Sequence, residues 1–549
     1  MRHLSFIAVL SLTSTLTGIA QHADVSEMDT AGYYTAAEYK NPASLREAAL
    51  DSYYERADAR RRHDLGTDRE LDRSNNRRRW NRPRTHGLGS PARHSQNYGS
   101  LSQTASPNAK SQRERLLNQS SGIAPTPAHG GFGAYTRRSQ HSEPNLSIGP
   151  LDLAFTVTLG LDSSDNYFHT ESNRESSLSA SAGFLVDGEW FLTDNQSLAV
   201  NMGIGVDYWL DGPDGAAHTG DIDLNVSPDS QIDYLIELGE AIQIRIYDNV
   251  SVLRNQRRSQ FSLDEINLAD RWTNAAGAQV LWGINAFTSL ELGYEYGVQS
   301  SFDSEFDDLD RDWQTAFGVL SVTDGSTLTG GIETRASWTT YDSDTRNDAD
   351  TTSIGAFVQW IPSDYTNVQA SLGIERWDIG ESSRFPASTQ NTFYGSIGIS
   401  NQLNEDFRHT LSIGRSSSLS EFASFSQSNF VRYGFDWDLS DATRINGFAS
   451  YARSAEKGGG RNEKLDSHSV GLTIQQRLSD YVTLGLKGSH QVYGSNLSGR
   501  SYSETRSQAW LTWYVNEALT LSASYEHWRG DGDIHFEDNR ILLGTSISF

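Results

Sequence analysis

From Leu151 onward the chain alternates apolar and polar side chains over runs much longer than an ordinary strand. Leu151, Leu153, Phe155, Val157, Leu159 and Leu161 alternate with Asp152, Ala154, Thr156, Thr158, Gly160 and Asp162. Successive side chains of a β-strand point to opposite faces, so this run has one apolar and one polar face. Strands in water-soluble sheets typically span about 5–6 residues, whereas a tilted strand crossing a bilayer needs about 9–11. The cadence returns in Leu198–Leu210, Leu290–Val298, Ser469–Ile474 and Leu519–Tyr525. The polar face carries mostly small, hydrated residues, which suits a lumen and not a packed core.

Composition is consistent with this and excludes a helical membrane protein. Only 36% of residues are hydrophobic and mean hydropathy is -0.54. A helical span would need about 20 consecutive apolar residues, while a membrane strand shows lipid only every second side chain. Aromatic content is high for so polar a chain, with 23 Tyr and 13 Trp, and interface girdles are one physical reason. Tyr208, Trp209, Tyr296, Trp338, Trp377, Tyr493 and Trp528 near one rim, and Trp190, Phe287, Trp360, Tyr365 and Tyr481 near the other, fit such girdles. The chain has no cysteine, so disulfides, thiolate metal sites and Cys nucleophiles are absent.

A repeat sets the strand number. Short polar turns centre near Asn195, Gly239, Thr288, Gly325, Asp364, Glu405, Asp441, Asp480 and Glu517, 36 to 49 residues apart. Between them lie longer connections rich in Gly, Ser, Asp and Asn, such as Asp342–Asp350, Glu381–Gln390, Ala455–Lys464 and Gly530–Asp538. Short turns on one rim and long loops on the other are the asymmetry of an outer-membrane barrel. With a first strand at 151–162 and a last at 539–549, the nine turns predict an all-β, transmembrane antiparallel up-and-down β-barrel of about 20 strands, within 18–22. An even count leaves both ends of the barrel on the short-turn, periplasmic side.

The chain before the barrel is of a different kind. Met1-Arg2-His3, the apolar stretch Leu4–Leu12 and Gly18-Ile19-Ala20 read as a signal peptide over residues 1–20. Residues 21–145 form a polar, basic and largely disordered periplasmic extension with one short helix over 42–60, where Asn41 caps and Pro42 opens the first turn. It carries 19 Lys+Arg against 14 Asp+Glu, including Arg60–Arg62 and Arg77–Arg79; the barrel domain, residues 146–549, carries 25 against 56. Phosphate binding needs clustered cations, so the acidic barrel argues against a nucleic-acid partner.

The run Leu159–Phe168 with its Asp165-Asn166 element, the hairpin repeat and the terminal Phe549 together resemble the outer-membrane β-barrel porin family associated with exopolysaccharide production and export. The resemblance covers residues 146–549 and implies a barrel that conducts small solutes or polysaccharide. Ile541, Leu543, Thr545, Ile547 and Phe549 share one face, and Gly544, Ile547 and Phe549 resemble the signal read by the barrel-assembly machinery.

No catalytic constellation stands out. The 14 histidines are scattered, with no HExxH, nucleophile elbow, P-loop or GxGxxG; His490 and His527, near Glu526 and Asp531, are read as rim residues. No enzyme activity, metal or cofactor is expected. Strand parity nominates pore-lining candidates: acids Asp207, Glu291, Glu295, Glu333, Glu375, Asp436 and Glu526, and bases Arg245, Arg335, Arg432 and Lys487. Seven acids against four bases favour cations in one channel. The expectation is therefore a porin-like pore in a Gram-negative-type outer membrane. Its expected partners are lipid, lipopolysaccharide, and polysaccharide or periplasmic export components. The alternative is a non-conducting surface barrel whose loops bind a partner or matrix.

Overall fold

The computed structural model describes residues 146–549, apart from 173, 213–219, 228–229, 240, 254–269, 303, 420–424, 459–460, 497–500 and 533–534. The signal peptide, the extension and its helix over 42–60 therefore lie outside the described residues. The strands are β1 (Leu146–Ile148), β2 (Leu151–Ser164), β3 (Ser177–Thr193), β4 (Gln196–Asp211), β5 (Ile222–Val226), β6 (Gln231–Leu238), β7 (Ile242–Leu253) and β8 (Arg271–Asn285). They continue with β9 (Thr288–Ser301), β10 (Arg311–Thr323), β11 (Leu328–Tyr341), β12 (Ala349–Ser363), β13 (Thr366–Ile379), β14 (Ser388–Gln402) and β15 (Phe407–Ser418). The last are β16 (Phe425–Ser440), β17 (Thr443–Gly458), β18 (Arg461–Ser479), β19 (Val482–Ser495), β20 (Tyr502–Tyr514), β21 (Leu519–Gly532) and β22 (Phe536–Ser548).

Each strand pairs antiparallel with its neighbours, and β22 returns to β2 from Thr156↔Ser548 to Ser164↔Arg540, which closes the sheet. Two elements do not add to the circuit. β1 is a short stub paired with the start of β2, Leu146↔Leu153 to Ile148↔Leu151, in line with the end of β22. β5 and β6 are two halves of one strand, facing Ile204–Tyr208 and Gln196–Asn201 of β4. The break falls between Val226 and Gln231. Twenty strands circle the barrel, as the turn repeat predicts.

Closure follows from the medium. A lipid-exposed strand edge would leave N–H and C=O groups with no water to bond, so a membrane sheet must have no edge. The outer face is apolar: Leu159, Ile204, Leu292, Ile332, Ile354, Leu372, Leu472 and Leu543 all stand exposed. A closed antiparallel barrel with an apolar exterior is the architecture of outer-membrane proteins.

All nine short turns lie where the repeat places them, on the rim that also holds the start of β2 and the end of β22. Gly239 (φ 68°) and Gly325 (φ 80°) adopt left-handed backbone there, which glycine tolerates without a Cβ clash. The opposite rim departs from the sequence reading. The supposed loop Ala455–Lys464 is mostly strand, because β17 runs to Gly458 and β18 starts at Arg461. Polar composition misled here: beyond the hydrocarbon a strand can continue in water, with no apolar alternation to mark it.

One turn yields a pH test. Between β10 and β11 the Asp324 carboxylate accepts backbone N–H bonds from Leu328 (2.9 Å), Ser326 (2.8 Å) and Thr327 (2.8 Å). These bonds, that from Leu328 foremost, hold its pKa down to about 2 from 3.8. A depressed folded-state value means the contribution to stability is present above the ordinary carboxylate range and lost as pH falls through about 2. Urea unfolding in vesicles should show Asp324→Ala less stable than wild type at neutral pH, with the gap closing toward pH 2. A gap independent of pH contradicts this.

Candidate functional site on the inward face

The inward face is the one opposite the exposed aliphatic band, and alternation places all eleven charged candidates on it. Asp207, Glu291, Glu295, Glu333 and Glu526 are each at most 4% exposed. Their partners divide them into separate groups. Asp207 accepts from Asn225 Nδ2 at 2.7 Å. Arg245 is ion-paired with Asp233 and lies over the Tyr247 ring, 4.7 Å from its centroid. The Arg432 guanidinium covers Phe430 at 4.4 Å, Asp436 accepts from Asn446, and Glu526 pairs with Arg506. Lys487 sits in register between Thr473 and Gln508.

Four candidates do come together, on β9, β11 and β13. The Tyr247 hydroxyl donates to Glu295 (2.8 Å), and the Trp313 indole N–H donates to the same carboxylate (3.5 Å). Arg335 donates to Ser337 Oγ (3.3 Å) and Thr315 Oγ1 (3.5 Å), and the carboxylates of Glu295 and Glu375 act on it electrostatically. Beside it, Tyr394 donates to Glu333 Oε1 at 3.2 Å. The sector is a continuous wall of hydroxyls, carboxylates and one guanidinium, framed by aromatic rings.

Those rings correct the sequence reading of the polar face as merely small and wet. Tyr247 lies over Gly277, Phe317 over Gly293, Trp313 over Gly297, Phe357 over Gly331, and Tyr394 over Gly355 and Gly373. A glycine opposite each ring leaves room for it to lie along the wall instead of projecting into the lumen. Trp209, Trp377, Tyr493 and Trp528, assigned to the girdle from sequence, are also buried on the inner side. Parity required it: Trp209 follows Tyr208, which is outward and 43% exposed. The girdle reading fits Trp338, Trp190, Phe287, Trp360, Tyr365 and Tyr481, which stay exposed.

The Asp165-Asn166 element proves to be part of the closing seam. Asp162 is ion-paired with Arg540, Asp165 accepts from Asn539 N and Nδ2 (both 2.8 Å), and Asn166 Nδ2 donates to Glu537 O (2.8 Å). Ser164 donates to Asp538 (2.6 Å), while His169, in left-handed backbone with φ 52°, contacts Asp538 at 3.3 Å and stacks on Phe536 at 4.6 Å. Sequence reasoning missed Arg540 and Asp538 because neither lies near the element in the chain. His490 and His527 bond to Thr505 (2.9 Å) and Asn539 (3.0 Å), and Asp531 is held by Arg529. Gly544 and Ile547 pair with Gly160 and Val157, and the Phe549 N–H donates to Phe155 O (3.0 Å). In the loops, Asp308 pairs with Arg346 and Asp310 accepts from Ser301 N (2.6 Å); among the described residues no three His, Asp or Glu converge as a metal site.

The buried Tyr394–Glu333 contact gives a test of the wall. Removing a donor from a buried carboxylate costs about 1–3 kcal/mol. Tyr394→Phe should lower unfolding stability in vesicles by that amount, and Tyr394→Phe combined with Glu333→Gln should recover part of it. An unchanged midpoint in the single variant means the bond does not form.

No family model matches the sequence, and no curated protein matches it. Among solved structures the chain is similar to the siderophore receptor PirA from Pseudomonas aeruginosa, with 11% identity, a TM-score of 0.45, and coverage of 72% of this chain and 80% of that one. It is similar also to the ferric-catecholate import receptor Fiu from E. coli K12, at 10% identity, TM-score 0.45 and coverage of 74% and 82%. A loop-deleted OmpT from Vibrio cholerae matches at 10% identity and TM-score 0.32, over 73% of this chain and 100% of that one. These likenesses are distant, and the assignment as an outer-membrane β-barrel stands on the strand pairing and the apolar exterior themselves.

Proposed function

We propose that the barrel is a porin-like outer-membrane conduit for polar solutes, with polysaccharide as the larger candidate cargo, and that it favours cations. The observation that carries the reading is the inward wall. It combines acids in excess of bases with hydroxyls and flat aromatic rings, the surface along which a hydrated, hydroxyl-rich chain can move by exchanging hydrogen bonds. Barrels of 16–18 strands already enclose water, and a circuit of twenty is wider. In this reading the short-turn rim and both barrel ends face the periplasm, and the wall performs no bond chemistry.

The inward surplus of carboxylates sets the sign of the lumen potential. Beyond the seven acids and four bases read from sequence, the inner face holds Asp162, Asp187, Asp233, Glu463 and Asp538, against Arg271, Arg311, Arg506 and Arg540. Acids stay in excess. In a planar bilayer under a KCl gradient, the reversal potential should have the sign of cation selectivity. Glu333→Gln with Glu375→Gln should move it toward zero. Anion selectivity, or no conductance in any condition, would favour the alternative of a closed barrel that acts through its loops.

A further inference from the structure

We infer that the wall forks between β14 and β15 at the edge of the hydrocarbon band, and that the fork binds the phosphate head of a membrane lipid. Arg415 is the cation of this site, and the open edge of β14 supplies its N–H donors. The inference rests on the barrel spanning a bilayer and not on whether the lumen conducts.

The strand pairing defines the fork. Toward the long-loop rim β14 keeps its ladder with β13 as far as Ile379↔Ser388, and β15 stays paired with β16 as far as Ser418↔Ser426. The ladder between β14 and β15 stops sooner, at Gly395↔Arg415. Beyond that pair the β15–β16 hairpin passes on the lumen side of β14. Leu419 and Phe425 pack on Ala349, Trp377 and Ile379, inward residues of β12 and β13, and Gln427 donates to Thr392 Oγ1. The stretch of β14 before Gly395 thus keeps one neighbour instead of two. At the other end of the strand Gln402 N bonds to Tyr365 O, toward β13, and Leu403 N bonds to Phe407 O, toward β15. Alternation along the ladder therefore turns the N–H groups of Asn391 and Phe393 toward β15, where no strand among the described residues meets them.

The height of the fork decides the ligand. Outward apolar side chains end at Ile374, Phe393 and Ile413, and the next outward residues on the same strands are Arg376, Asn391 and Arg415. The open edge begins where hydrocarbon gives way to headgroups, which is why a membrane can tolerate it. Three other outward arginines of this rim each hold an aspartate: Arg376 with Asp378, Arg453 with Asp466 and Arg529 with Asp531. Among the described residues Arg415 forms no such pair. Its guanidinium donates to Gln427 Oε1 and lies over the Phe393 ring at 4.3 Å, and it acts electrostatically on the Glu375 carboxylate of the lumen wall. A phosphate head brings what is missing, oxygens that accept charge-assisted bonds from a guanidinium and from backbone N–H groups. Its acyl chains would lie against Phe393 and Ile413.

The test uses the full chain in dodecyl maltoside micelles with dioleoyl phosphatidic acid, and counts bound lipid by native mass spectrometry. The first lipid should bind Arg415→Gln at least about tenfold more weakly than wild type, as loss of a charge-assisted hydrogen bond implies. Arg453→Gln should bind it as wild type does. Asn391→Pro removes an N–H that no strand uses, so the barrel should keep its fold, as proline at a sheet edge permits. Its affinity should fall about threefold or more, the worth of one ordinary hydrogen bond, and it decides alone should Arg415→Gln fail to fold. Unchanged affinity in either folded variant overturns the inference. So does equal affinity for dioleoyl phosphatidylcholine, or full competition by millimolar inorganic phosphate, which would make the ligand a soluble anion.

Discussion

The structure depends on the rule that no backbone polar group can stay unpaired in hydrocarbon. Each hydrogen bond left open there costs several kcal/mol with no water to offset it, so the sheet must close on itself. Closure makes the β2–β22 seam the decisive joint, since it is formed by residues nearly four hundred positions apart. The polar side chains of the Asp165-Asn166 element lie at one end of that joint and bond to the start of β22. A motif that reads as a family feature thus acts locally and physically, by fixing the register in which the two ends meet.

The medium also explains why the two faces differ. Outside, aliphatic side chains need only be apolar, because lipid adapts to their shape. Inside, large rings rest over glycines and carboxylates are supplied with donors, as with Glu295 between Tyr247 and Trp313. This packing stiffens the wall and keeps rings out of the lumen. The charge left over is negative, and it sets the sign of the potential along the inner face.

Much of the architecture was legible in the residues. Period-2 runs such as Leu151–Asp162 set both strand type and length, and turns at Asn195, Gly325 and Asp480 recur at hairpin spacing. The inward position of Asp207 or Glu333 follows from parity alone. What stayed hidden is what parity cannot carry. Contacts across the seam, such as Asp162 with Arg540, depend on closure and not on spacing. Rim loops such as 455–464 lost their strand character to polar composition. Trp377 and Trp528 were misassigned because an aromatic near a strand end fits a girdle and an inner cluster equally well until its neighbour's direction is counted.

The most direct measurement places single cysteines, in this cysteine-free chain, at each position from 469 to 474 of β18. Spin labels there, in vesicles, report collision with dissolved oxygen or with a water-soluble nickel chelate. Labels at Val470, Leu472 and Ile474 should favour oxygen, and those at Ser469, Gly471 and Thr473 should not. Accessibility that fails to alternate, or that alternates in the opposite phase, contradicts the barrel described here.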